Sequence, residues 1–261
     1  MNEWSARRKR IIFLLALFCL MILIGLPLFF FLHKTPNCSD NVQNGDETGI
    51  DCGGSCKLIC KAESLPMLTK GDARVLSVAT STFEVVASVE NPNVRASVLR
   101  AGYTFKLFTA SSSIPIKTIE GETYIPQGSS FALFEGPFNL VDYIPTRATF
   151  EWNPETLIWQ KDTSRIPSLS IEGSVLSNPL ITPRIDATLH NDSLGKVSNI
   201  ELVALVSDEN GNIVASSKTF VGALDAGGSA PLVFTWPAPF KTATTSIEIL
   251  PRILPDRSYI K

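Results

Sequence analysis

Phe83-Glu-Val-Val-Ala-Ser-Val-Glu-Asn-Pro-Asn93 and, one hundred residues on, Pro183-Arg-Ile-Asp-Ala-Thr-Leu-His-Asn-Asp-Ser193 decide the fold. In both, apolar side chains recur at every second position and the run ends on an asparagine. Val85, Ala87, Val89 and Asn91 fall on Ile185, Ala187, Leu189 and Asn191. A period of two is the mark of a β-strand with one face against a core. The other face should meet water: Glu84, Ser88 and Glu90 in the first strand, Arg184, Asp186, Thr188 and His190 in the second.

Outward from these strands the match continues. Leu133, Phe134 and Pro137 fall on Val233, Phe234 and Pro237 at the same offset, so Phe134 and Phe234 should fill the same core layer in two copies. Tyr103-Thr-Phe-Lys-Leu-Phe108 corresponds to Glu201-Leu-Val-Ala-Leu-Val206, and Gln127-Gly128 to Ala226-Gly227. From Leu65 onward short alternating runs are separated by Gly, Pro, Ser and Asn, and no stretch sustains a helical period. The expected fold is all-β: two tandem immunoglobulin-like sandwiches of about seven strands each, at 63–155 and 166–252, with a short tail at 253–261. The polar stretch from Asn153 to Pro167 reads as the linker. Trp152, Trp159 and Trp236 raise the question of a carbohydrate platform, but Trp152 and Trp236 lie in strands and should be core or domain-interface residues, whereas Trp159 in the linker is the best candidate for an exposed aromatic or a wedge between the domains.

The first copy, Phe83 to Asn93 with Tyr103-Thr-Phe-Lys-Leu107 and Ile125-Pro126, resembles the late-embryogenesis-abundant type 2 (WHy-like) β-sandwich, most specifically in Val89-Glu-Asn-Pro-Asn93. The second copy has Asn191-Asp-Ser193 instead, and its Ala204-Leu-Val-Ser-Asp-Glu-Asn-Gly-Asn212 is more similar to FxLYD-type bacterial domains. Both resemblances imply a sandwich on an extracytoplasmic module and no catalytic residues.

Residues Ile11 to Leu32 carry no charged or polar side chain, and 17 of these 22 are Leu, Ile or Phe. As a helix they span about 33 Å, enough for a hydrocarbon core of roughly 30 Å. Arg7-Arg8-Lys9-Arg10 precede them, in the basic tail 1–10. The positive-inside bias keeps such a cluster in the cytoplasm and sends everything after 32 outward, making the lipid bilayer a partner through 11–32. A cleaved signal peptide shares the basic start, but the apolar run is too long and Phe29-Phe-Phe-Leu-His-Lys34 offers no small-residue cleavage site. The first 34 residues hold five cations against Glu3, a sum of +4; with a total of -2, the remainder carries -6. No nucleic-acid footprint exists on so acidic a body.

The expected stalk at 33–62 holds Cys38, Cys52, Cys56 and Cys60, apart from Cys19 inside the apolar run. An even set in an exported segment reads as two disulfides, with three pairings open. A four-thiolate zinc site is the rival, although CxxC pairs are lacking. Asn44-Gly-Asp-Glu-Thr-Gly-Ile-Asp-Cys-Gly-Gly-Ser-Cys56 resembles a short element of exported bacterial proteins, which implies a location and no activity. Asp40, Asn44, Asp46, Glu47 and Asp51 could offer oxygens to a weak Ca²⁺ site. Tight turns demand the same residue types, and the spacing is not that of an EF-hand loop.

No chemistry is legible. Catalysis by a triad would rest on His190, since His33 sits beside the apolar run, and Asp186 is too far along the strand to orient it. Glu84 and Glu90 read as solvated, with nothing nearby to raise a pKa. Nucleotide, zinc-protease and hydrolase motifs are missing, so no cofactor is expected. The expectation is a non-enzymatic, single-pass surface module with a protein or envelope partner. The alternatives are a Ca²⁺-dependent adhesion element and an accessory subunit of a membrane complex.

Overall fold

The computed structural model describes residues 3–32 and 37–255. His33, the first residues of the expected stalk and the tail from 256 lie outside them. The chain divides into two units, Met1–Cys56 and Lys57–Lys261.

In the first unit, α1 (Glu3–Leu32) runs unbroken through Pro27. Its stretch Arg7–Phe29 is long and apolar enough to cross a membrane, and no protein buries it. Helices apolar on every side lack the polar stripe that a soluble surface helix needs. The rest of the unit is a run of turns with one small bridge, Gly49 to Cys52. Its order comes from covalent links. Cys38 is bonded to Cys56, and Cys52 and Cys60 are disulfide-bonded as well. The two expected bridges are present, and Cys19 stays free. With their sulfurs in disulfides, the four cysteines offer no thiolate set for zinc.

The second unit is all-β. Its first sandwich comprises β1 (Leu68–Thr69), β2 (Arg74–Ala79), β3 (Thr82–Glu90), β4 (Ala96–Phe108), β5 (Lys117–Ile125), β6 (Ser130–Asn139), β7 (Arg147–Trp152) and β8 (Trp159–Lys161). Its second comprises β9 (Leu169–Ser177), β10 (Arg184–Asn191), β11 (Val197–Ser207), β12 (Ile213–Leu224), β13 (Ser229–Thr235) and β14 (Ser246–Ile253). All pairings are antiparallel. β3 lies between β6 on one edge and β1 and β2 on the other, and β4 between β5 on one edge and β7 and β8 on the other. The same wiring recurs, with β10 between β9 and β13 and β11 between β12 and β14. The repeat read from sequence is thus a repeat of connectivity.

Each sandwich closes over its own core. Val85, Ala87, Val89, Phe105, Leu107 and Phe131 are among those buried in the first, and Ile185, Leu189, Leu202, Leu232 and Phe234 in the second. The asparagine that ends each opening strand explains itself. Asn91 is buried and its amide donates to Ala96 O and Pro126 O while its Oδ1 accepts from Asn93 N. Asn191 does the same with Gly195 O, Leu224 O and Ser193 N. A buried amide that satisfies several loop carbonyls at once holds two connections in place.

Three expectations need correction. Phe134 does not repeat Phe234. In the first sandwich Val86 opposes Phe134 and Ala87 opposes Leu133, whereas Ile185 opposes Phe234 in the second. A slip of one residue turns a side chain to the opposite face. Leu133 therefore fills the core and Phe134 points out, half-buried. The match of Tyr103-to-Phe108 with Glu201-to-Val206 is off by one for the same reason, since Tyr103, Phe105 and Leu107 face one core and Leu202, Ala204 and Val206 the other. Trp159 is not exposed. It sits on β8, pairs with Val98 and retains 4% of its surface, so β8 carries the first sandwich past residue 155.

Candidate functional site: the seam between the sandwiches

β11 reads Ile200-Glu-Leu-Val-Ala-Leu-Val206 with almost no polar interruption, and the strand is buried on both sides. Ile200, Leu202, Ala204 and Val206 face its own core. Val203 and Leu205, on the opposite face, pack with Leu76, Val86 and Ala132 of the first sandwich, flanked by Phe134, Ile213 and Leu250. The two sandwiches thus share a third apolar cluster. The face of β3 expected to meet water is covered there: Glu84 and Ser88 are buried, and only Glu90 remains partly open, paired with Lys70 at 3.0 Å. The signal was present in the uninterrupted run of β11 and in Val85-Val86, where alternation fails, because a strand buried on both faces loses its polar half.

Two buried carboxylates sit on this seam, separated along the outer face of β11. At one end is Glu201. Arg252 of β14 grips its Oε1 through Nε at 3.1 Å and through Nη2. The same guanidinium crosses the seam, where Nη1 donates to Thr123 Oγ1 at 2.8 Å and the group lies 4.7 Å over the Phe131 ring. Arginine's planar fork suits such a buried role, since it satisfies several acceptors without shedding its charge. Beside it, Tyr103 donates to Glu135, and burial pushes the phenol pKa up.

At the other end, where Ser216 of β12 pairs with Leu205, is Glu84. Ser216 Oγ donates to Glu84 Oε1 across the seam at 2.8 Å. Trp236, at the end of β13, fixes the serine by donating from Nε1 to Ser216 O at 2.7 Å, and its ring meets Phe240 edge-on at 5.1 Å. Among the described residues no ion pair reaches Glu84. Burial raises its pKa from 4.5 to about 7, partly offset by the hydrogen bonds from Ser216. The expectation of a solvated glutamate with an ordinary pKa is overturned because the second sandwich covers it.

Glu84 lines a cleft of about 750 Å³ between the sandwiches. Val75, Val78, Phe83, Leu140 and Ile144 come from the first, and Val214, Trp236 and Phe240 from the second. Lys241 is its other charged residue. Walls that are mainly but not wholly apolar, with Ser77, Thr80, Ser81 and Thr242 among them, a domain junction, a volume of several hundred Å³ and one carboxyl of displaced pKa are the features of ligand pockets.

The remaining sequence candidates sit elsewhere. In the stalk, Asp51 accepts from Asp40 N and Asn41 N. Asp40 accepts from Val42 N and the Asn44 amide, Asp46 from Ser55 Oγ, and Glu47 from Asn44 N. Each carboxylate already serves a turn. Among the described residues the one set of three or more His, Cys, Asp or Glu whose ligand atoms lie within 4.8 Å of one another is Cys38, Glu47 and Cys56, and its two cysteines are joined to each other. His190 lies partly exposed, 3.7 Å from Glu172, and Asp186 is held by Arg184 at 2.6 Å. Trp152 packs against the first core with its Nε1 buried and unpartnered.

No family model matches the chain, and no curated protein does. Solved structures give distant likenesses. Red sea bream transglutaminase aligns at 9% identity and a TM-score of 0.21, covering 72% of this chain and 31% of that one. Bacteroides uniformis beta-glucuronidase aligns at 15% identity and 0.19, covering 68% and 22%. The tandem CBM22-1-CBM22-2 domain of Paenibacillus barcinonensis Xyn10C aligns at 8% identity and 0.16, covering 75% and 88%. The chain spans about a third of the first and a fifth of the second, and likenesses of this strength carry no argument about activity.

Proposed function

We propose that this protein is a non-enzymatic, membrane-anchored interaction module whose sandwiches, immunoglobulin-like in size and similar in motif to late-embryogenesis-abundant type 2 and FxLYD domains, stand outside the cytoplasm. The observation that carries the reading is the order of its parts. The apolar stretch of α1 follows Arg7-Arg8-Lys9-Arg10 in the same helix and is followed by cysteines bonded as disulfides. The basic flank favours a cytoplasmic N-terminus, and disulfides persist in oxidising compartments. Both sandwiches then fall on the same side, joined through the shared apolar cluster and the Arg252 contacts so that they present a fixed surface. The test is protease added to intact cells with a permeable envelope. It should remove the sandwiches and spare an N-terminal tag; cleavage of the tag with the sandwiches protected overturns the topology.

A further inference from the structure

We propose that the cleft between the sandwiches binds an apolar stem ending in a cation, the ammonium of a small amine or of a lysine side chain on a partner polypeptide, with Glu84 as its counter-ion. This deepens the reading of the chain as an interaction module but is independent of which way the helix crosses the membrane. The argument starts from the contrast along the seam. At Glu201 the fold supplies a guanidinium directly to the buried carboxylate. At Glu84, in the same seam and equally covered, it supplies a hydroxyl.

A carboxylate out of water without a cation is costly to leave charged, and a ligand cation relieves that cost. The cations on the elements packed around Glu84 are engaged otherwise. Arg74 of β2 donates to Asn212. Lys218 of β12 donates to Phe134 O at 3.3 Å and lies 3.9 Å from Glu201. On β6 the nearby acid, Glu135, accepts from Tyr103, and Gly136 passes so close that a Cβ there would lie 2.9 Å from Glu84 Cβ. Lys241, on the loop after β13, is exposed to solvent. Burial is the largest influence on Glu84, and the causes that oppose it are the Ser216 hydrogen bonds alone. What remains is a carboxyl at the wall of an apolar cleft open to a guest. The guest's stem would lie against Phe83 and Val78, where water is displaced at a gain.

The charge also makes binding pH-dependent. Glu84 is ionised above about pH 7 and neutral well below it, so a cationic guest gains its counter-ion only in the upper range. A neutral guest of the same shape should be indifferent.

The experiment uses the full chain in lipid nanodiscs and four probes: hexylammonium, hexanol, a blocked leucine-lysine-leucine peptide and the same peptide with norleucine in place of lysine. Affinities are measured by calorimetry at pH 5 and pH 8. At pH 8 one or both cationic probes should bind about tenfold or more tightly than the neutral partner, the scale of one charge-assisted hydrogen bond. The preference should vanish at pH 5 and in Glu84→Gln, which keeps the neutral affinity. Ala79→Trp, a surface change that fills the cleft wall, should remove binding of every probe. Hexylammonium alone points to a small amine, and the peptide alone to a partner chain. Equal affinity for charged and neutral probes, no binding of any probe, or a preference that survives Glu84→Gln overturns the proposal, and none of these outcomes bears on the protease test of topology.

Discussion

The seam between the sandwiches has two ends that solve one electrostatic problem differently. Glu201 is covered and receives Arg252, whose Nη1 also donates to Thr123 Oγ1 and Tyr124 O of the other sandwich. Glu84 is covered and receives Ser216 Oγ. A charged pair whose arginine also bonds across the seam can lock a junction, whereas a carboxyl with only hydroxyl and amide donors stays poised between its two protonation states. The first end therefore reads as a fixed hinge pin and the second as a responsive wall. Between them the apolar contacts of Val86, Ala132, Val203 and Leu205 make the two sandwiches one body.

The hardest way to break the contrast is to remove the pin. Arg252→Met keeps an apolar stem but leaves Glu201 buried, with only Lys218 at 3.9 Å as a cation. Stranding a buried partner costs about 3 to 5 kcal/mol, which urea unfolding at pH 7 should show as a fall in the midpoint. Adding Glu201→Gln to Arg252→Met should recover much of that loss, because the stranded charge is gone. Additive losses in the double variant would mean that the pair is not the unit described.

The next test acts on the other end and has a pH signature. The folded-state pKa of Glu84 is raised from 4.5 to about 7. Between those values the folded protein keeps a proton that the unfolded chain has released. Stability from this group is therefore full below about pH 4.5, declines as pH rises through the window and is lost above about 7. The shift corresponds to about 3 kcal/mol. Glu84→Gln, which cannot titrate, should track the native protein at pH 4.5 and exceed it by up to about that amount at pH 8. Parallel stability curves for the two proteins would show that Glu84 is not the responsive group.

How much of this was legible in the sequence differs by level. The repeat was, because Asn91 and Asn191, with the alternation before them, mark equivalent points in two copies. The pins in the stalk were, because an even set of cysteines beyond an apolar helix admits few readings. The phase of the strands was not. Identity at Phe134 and Phe234 suggests one layer, yet β6 pairs with β3 one residue out of step with the way β13 pairs with β10, from Glu90 opposite Ser130 and His190 opposite Ser229 onward, which puts the two rings on opposite faces, and register is a property of pairing that a single strand does not encode. The seam was missed for a related reason. Alternation in β3 says that one face is polar but not that a second sandwich will cover it, so Glu84 and Ser88 read as wet. The run from Ile200 to Val206 did carry the warning, since a strand with a wet face has no use for Val203 and Leu205.

The smallest effect expected is at Lys218, and it decides whether the Glu201 end is a pair or a network. Its ammonium stands 3.9 Å from Glu201 Oε2, at the limit of an ion pair, and 3.3 Å from Phe134 O. Its stem lies by the rings of Phe134 and Phe220, with the ammonium 5.2 and 5.9 Å from their centroids. Lys218→Met keeps the stem and removes the ammonium, with its charge and its hydrogen bond to Phe134 O. Arg252 already occupies the other carboxylate oxygen at closer range, and Lys218 is wet enough to be screened, with 29% of its side chain exposed. Exposed or half-exposed pairs contribute about 0 to 1 kcal/mol, so the variant should lose about 0.5 kcal/mol in urea unfolding at pH 7, shrinking further as salt rises. A loss comparable to that of Arg252→Met would show the two cations sharing one buried charge, and the rigidity of this end would then depend on ionic strength, which an arginine pin sealed between two sandwiches should not.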